Sequence, residues 1–138
     1  MDTASPAVGG LVYYVRCVAE DLADEVDEID VNVDGGLATV LILMNTRVPT
    51  LMDSPLLLTW DEVSGWALRV ETDGMGDTTP LEFLGEEILP NPQVVQAFLR
   101  DAIRGRNPGT LTAPTFRLPN ASDDLEMRLV RFLDREND

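Results

Sequence analysis

Apolar residues at Val8, Leu11, Val12, Val15, Ala19 and Leu22 recur at steps of three and four, which places them on one face of a helix over 6–26. Ser5 followed by Pro6 reads as an N-cap with proline at the first helical position, while Gly9 and Gly10 weaken the first turn and let the start slide past them. At Ile29 the period changes to two. Ile29, Val31 and Val33 alternate with Asp30, Asn32 and Asp34, and Asp34-Gly35-Gly36 supplies a turn, so a strand over 29–33 enters a hairpin. Residues 37–44, LATVLILM, are apolar on both faces, as in a central strand covered by helices or by a partner. The runs 56–60 and 66–71, joined by Asp61-Glu62-Val63-Ser64-Gly65, form a second hairpin. In its return strand Trp66, Leu68 and Val70 alternate with Ala67, Arg69 and Glu71, one set facing the core and the other water. Residues 80–84 add a short fifth strand ending at Gly85.

Asn91-Pro92 repeats the cap-then-proline signal and opens a helix over 92–104, with Val95, Phe98, Leu99, Ala102 and Ile103 inward and Gly105 at its end. Residues 106–120, with Pro108, Pro114 and Pro119, carry neither period and read as an extended arm. Ser122 caps a last helix over 123–135, with Leu125, Leu129, Phe132 and Leu133 on its apolar face. Short connections imply antiparallel pairing. The fold class is therefore α+β: an antiparallel sheet of four to five strands, with the helices 6–26 and 92–104 on one face and a C-terminal helix. Residues 1–105 form the domain, and 106–138 an arm and helix that pack on it or on a dimer mate.

A chain of 138 residues, 44% hydrophobic and 25% charged, has the size and composition of one globular domain. Charge changes the picture. Ten basic against 25 acidic residues leave −15, a field that repels nucleic acid and anionic membranes and attracts basic proteins. There is no His and no Lys, which removes histidine bases, imidazole metal ligands and Schiff-base lysines. An enzyme is not expected, and neither is a cofactor. The only cysteine, Cys17, makes no internal disulfide; the first basic residue is Arg16, so a secretory start is missing, and the apolar run 37–44 is too short to span a bilayer. A cytoplasmic location is expected.

Candidate chemistry is thin. Asp30-Val31-Asn32-Val33-Asp34-Gly35 matches the first half of a calcium loop, but position twelve is Leu41, and a strand face ending in a turn explains the same residues. Asn120-Ala121-Ser122 has the form of a glycosylation acceptor and is explained as a helix cap. Cys17 lacks a base and sits among acids, which favours a structural role. The cluster Glu20, Asp21, Asp24, Glu25, Asp27, Glu28 and Asp30 reads as a solvated helix end, with electrostatic docking as the functional alternative. Arg128, Arg131 and Arg135 form the one basic stripe, expected to balance surface charge or contact the acidic first helix. Trp60 and Trp66 flank one turn, and core packing explains most of this aromatic surface; Tyr13 and Tyr14 cannot both face the same core, so one is expected at an interface. These seven residues, Tyr13, Tyr14, Trp60, Trp66, Arg128, Arg131 and Arg135, make up the candidate interaction surface.

Leu58-Thr59-Trp60-Asp61-Glu62, Gly65-Trp66-Ala67-Leu68-Arg69-Val70-Glu71, Leu84-Gly85 and Leu89-Pro90-Asn91-Pro92 through Val95 and Phe98 resemble a family of small bacterial proteins of unknown function. Tyr14-Val15-Arg16 and Val18-Ala19 fit as well. The resemblance covers roughly residues 11–104 and implies no activity, ligand or site. The expected function is a non-catalytic protein-binding or regulatory module of the acidic adaptor, chaperone or toxin-neutralising type, with a protein partner presenting a basic or apolar surface and a homodimer through the first helix or the arm. The alternatives are a nucleic-acid mimic that inhibits a basic protein, and a carboxylate and metal-dependent enzyme.

Overall fold

Ser5 opens the first helix: its Oγ accepts the Ala7 N–H at 3.2 Å, Pro6 takes the first helical position, and α1 runs Pro6–Glu20. The computed structural model describes residues 1, 5–34, 36–47, 54–71, 77–106, 109–118, 121 and 123–136, the side chains of 23 and 134–136 excepted. The helix stops six residues before the expected end. Glu20, Asp21, Asp24 and Glu25 would crowd the negative end of its dipole, and Val26 gains a strand partner in Met44 instead. A single 3₁₀ turn, Ala23–Glu25, makes the transition into β1 (Val26–Asp34).

The sheet is an antiparallel meander in the order β1, β2 (Leu37–Met44), β3 (Leu56–Asp61), β4 (Gly65–Glu71) and β5 (Thr78–Phe83). The fifth strand is real and begins earlier than expected. The β3–β4 turn is closed by Asp61 Oδ1, which accepts the Val63 and Ser64 N–H groups at 2.8 and 2.7 Å, and by Gly65 at φ 75°. Helix α2 (Pro92–Ile103) follows, and Gly105 at φ 83° lies just past its end. Gln96 on α2 donates from Nε2 to the carbonyls of Cys17 and Val18, fixing α2 to the end of α1.

One cluster joins Leu11, Tyr14, Val15 and Val18 of α1 with Val40, Ile42, Leu58, Trp60, Trp66 and Leu68 of the sheet and Val95, Phe98 and Leu99 of α2. Both helices thus cover one sheet face. Asn32, Thr39, Thr59, Asp61 and Arg69 line a shallow hollow of about 340 Å³ on the other.

The last helix, α3 (Leu125–Glu136), packs on α1 of the same chain and completes the core with Leu125 and Leu129. This contact explains the glycines that seemed to weaken the first helix. A Cβ on Gly10 would run into the Leu129 backbone carbonyl, so α3 approaches α1 at a glycine because no side chain fits. The arm that precedes α3 is tied down twice: Phe83 and Thr110 exchange backbone hydrogen bonds at 2.7 and 2.8 Å, and the Phe116 N–H reaches the Val63 carbonyl at 2.8 Å. Ser122, the expected cap, lies outside the described residues; Asp123 Oδ1 accepts the Leu125 N–H at 3.1 Å.

Candidate functional site

A β-bulge shapes the most distinctive surface. Val26 pairs with Met44 and Glu28 with Leu43, leaving Asp27 as an extra residue. That extra residue resets the alternation, so Ile29, Val31 and Val33 face the helices while Glu28, Asp30 and Asn32 face the open side. Beyond the bulge Ile29 is not covered by α1 and stays 40% exposed. On the facing flank of α1, Tyr13, Arg16, Cys17 and Glu20 recur at three- and four-residue steps. Together with Ala19 and Val26 these residues enclose a groove of about 530 Å³. Its lining is mostly apolar, with Arg16 and Glu20 as its charged members, and the exposed acids Asp21, Asp24, Asp27, Glu28 and Asp30 adjoin its α1 and β1 walls in sequence.

The aromatic residues divide between core and groove. Tyr13 is half-buried, lines the groove and leans on Phe132 of α3 at a ring separation of 6.4 Å. Tyr14, Trp60 and Trp66 are at most 1% exposed, which removes them from the candidate interaction surface. Their burial is stabilised by hydrogen bonds: Trp66 Nε1 donates to Tyr14 Oη at 3.1 Å, Tyr14 Oη donates to the Pro90 carbonyl, and Trp60 Nε1 donates to the Ile88 carbonyl at 2.7 Å. Burial pushes the Tyr14 hydroxyl far above the ordinary tyrosine value of 10.0, against the smaller lowering effect of the Trp66 bond.

The basic stripe does not act as one. Arg128 pairs with Glu87 and donates to the Leu89 carbonyl at 3.4 Å, on the connection before α2 and not on α1. Arg131 is exposed and donates from Nη2 to the Met127 sulfur at 3.8 Å. The side chain of Arg135 lies outside the described residues.

Two ionic residues that the sequence reading passed over turn out to be buried together. Glu62, fully buried, takes Arg117 Nη1 at 3.0 Å, the Ala38 N–H at 2.8 Å and the Met1 amino group at 3.3 Å. Arg117 Nε in turn reaches Asp123 Oδ2 at 2.7 Å, and its Nη2 reaches the Ala121 carbonyl at 2.7 Å. Burial raises the Asp123 carboxyl, but the Arg117 bond, the Leu125 N–H and the guanidinium charge outweigh it and hold it below its ordinary value. This cluster clamps the arm onto the β3–β4 turn.

Of the calcium-loop residues, 30–34 sit on β1, with Val31 and Val33 against the core and Asp30 and Asn32 on the opposite side, and Gly35 lies outside the described residues. Among the described residues, no group of three or more Cys, Asp and Glu side chains is placed to hold a metal ion. No helix of the described residues is long and apolar enough to cross a membrane.

These features define an α+β protein with both helices α1 and α2 on one sheet face, a shallow hollow on the other, a buried ionic clamp and a groove at one sheet edge. The chain belongs to the family of unknown function DUF6292, whose match spans residues 14–101. The matched stretch includes every groove residue but Tyr13, and leaves out the first half of α1, the arm and α3. Comparison with curated proteins and with solved structures gave no match.

Proposed function

We propose that this chain is a non-catalytic docking module that holds a partner protein in the groove between α1 and β1. The observation that carries the reading is the juxtaposition of exposed Ile29 and half-buried Tyr13 in one groove, with Glu20 on its wall and a run of exposed acids from Asp21 to Asp30 adjoining it. An apolar floor supplies affinity, and an acidic rim selects a basic partner and speeds its approach. Function as an acidic adaptor, chaperone or toxin-neutralising protein in the cytoplasm fits this arrangement, and the solitary cysteine suits a reducing compartment.

The test is affinity capture from the cells that make the protein, comparing wild type with Ile29→Asp in the groove and with Leu111→Asp on the arm, where Leu111 is 87% exposed. A partner lost by Ile29→Asp and kept by Leu111→Asp supports the groove. Retention of every partner by a folded Ile29→Asp variant sinks it. Nucleic-acid mimicry needs the carboxylates and not the apolar floor; a partner that survives Ile29→Asp but is lost on neutralising Asp27, Glu28 and Asp30 would mark that alternative.

A further inference from the structure

The two edges of the sheet are built differently. At the β5 edge Pro80 removes a backbone donor, and the arm caps Phe83 through its paired hydrogen bonds with Thr110. The β1 edge has nine residues, regular from Glu28 to Asp34 beyond the bulge, with no proline and, among the described residues, no strand on its outer side. Every second residue of such a strand turns its N–H and C=O away from the sheet. The edge also borders the groove, so a strand laid against β1 would project alternate side chains beside Ile29 and into the space lined by Tyr13 and Cys17.

Charge decides what that strand is. Asp27, Glu28, Asp30 and Asp34 are four acids in nine residues with no base among them. A second copy of the chain would bring the same four acids to the same edge, so like charges would meet across the new pair. A strand with Lys or Arg at every second position places cations beside Glu28, Asp30 and Asp34, one beside Asn32, and its apolar side chains beside Ile29, Val31 and Val33.

We infer that β1 is a strand-addition edge whose occupant is an extended segment of another protein alternating apolar and basic residues. The inference rests on the docking reading above and adds to it the backbone pairing, the period of two and the charge of the segment.

The experiment uses the full chain and a fluorescent seven-residue peptide alternating valine and lysine, matched to the regular stretch Glu28–Asp34 of β1. Two further peptides carry N-methyl groups on alternate amides, one on each of the two sets, and a fourth alternates valine and glutamate. Because only one set of peptide amides faces β1, one N-methylated peptide should bind at least about tenfold more weakly and the other close to normally. The glutamate peptide should bind at least about tenfold more weakly than the lysine peptide, and high salt should close that gap. In hydrogen exchange, new amide protection should appear in β1 and not in β5.

Equal binding of the two N-methylated peptides overturns strand addition, as does failure of the lysine peptide to bind. Equal binding of the lysine and glutamate peptides overturns the charge selection. A stable dimer that buries β1 would assign the edge to a second copy and overturn the inference too. The docking reading is judged separately: if Ile29→Asp still removes a captured partner while the peptide fails, only the strand mode falls.

Discussion

Replacing Gly10 by alanine separates two arguments of opposite sign. Helix propensity alone favours alanine by about 1 kcal/mol at an interior helical position. The structure predicts a loss, because the new methyl group would overlap the Leu129 backbone carbonyl, which cannot swing away as a side chain can. Relief comes by one of two routes. Pushing α3 outward while keeping it docked costs about 3 kcal/mol, the upper part of the usual range for overpacking. Undocking it exposes Leu125 and Leu129, now 1% and 0% exposed, and costs about 4 kcal/mol at about 2 per leucine. The first route is cheaper, and after the propensity gain the net destabilisation is about 2 kcal/mol. Gly9→Ala is the control: its Cβ would meet Leu133 Cδ2 at 3.2 Å, a flexible side-chain end that can move, so propensity wins and stability is unchanged or slightly higher. Urea unfolding followed by tryptophan fluorescence measures both variants, since Trp66 contacts Tyr14, whose ring lies 5.2 Å from that of Phe132 on α3. With a slope of about 2 kcal/mol/M, the Gly10→Ala midpoint should fall by about 1 M. A Gly10→Ala midpoint at or above wild type would refute the packing of α3 on α1.

Glu62→Ala leaves Arg117 and the Ala38 N–H buried without their shared carboxylate, and should cost about 3–5 kcal/mol, seen as a fall of roughly 10–15 °C in melting temperature; Glu62→Gln should fall between it and wild type. Tyr14→Phe removes the acceptor for Trp66 Nε1 and the donor to Pro90 and should cost about 2–3 kcal/mol in the same assay. Asp123, held below its ordinary 3.8, contributes stability that is present above that value and lost as pH falls through its lowered folded value, so Asp123→Asn should flatten the acid limb of a pH–stability curve. Glu82 has the opposite sign: desolvation raises its carboxyl above 4.5, against a smaller lowering by the Gly109 backbone bond, so it weakens the fold as pH rises through that raised value. Glu82→Gln should therefore be at least as stable as wild type at pH 7, measured by the same unfolding curve.

The strands were legible because alternation in 29–33 and 66–71 reports a one-sided environment, and both cap-then-proline signals fell where a helix starts. Three things were not. The end of the first helix was hidden because Leu22 fits a helical period, and only the charge of Glu20 to Glu25 against the helix dipole argues for an earlier stop. Trp60 and Trp66 belong to the core and not to the candidate interaction surface: the alternation of Trp66 with Leu68 and Val70 puts it inward, and the carbonyls of Ile88 and Pro90 that satisfy the core lie in a distant connection. Glu62 looked like any turn residue, since its burial depends on Arg117, 55 residues later. The groove was invisible for a related reason. Its walls come from two elements whose facing depends on a one-residue bulge at Asp27, and a bulge leaves no mark in hydrophobic periodicity when the inserted residue is polar.

The acidity of the β1 edge can be explained without any partner, because charged side chains are a common defence of an exposed edge against self-pairing. Defence alone, however, does not account for the uneven treatment of the two edges. The β5 edge is closed by means that block every strand alike: a missing donor at Pro80 and an intramolecular bridge to Thr110. At β1 a bulge at Asp27 interrupts the start of the strand, but along Glu28–Asp34 the backbone is regular, and among the described residues charge alone stands guard there. Charge repels a copy of the same chain and attracts its opposite, so it is a selective barrier where proline is an absolute one. Beside that barrier the chain leaves Ile29 uncovered and opens a groove, neither of which serves protection. An edge guarded selectively, next to apolar surface left unfilled, is what reversible capture of a basic strand requires.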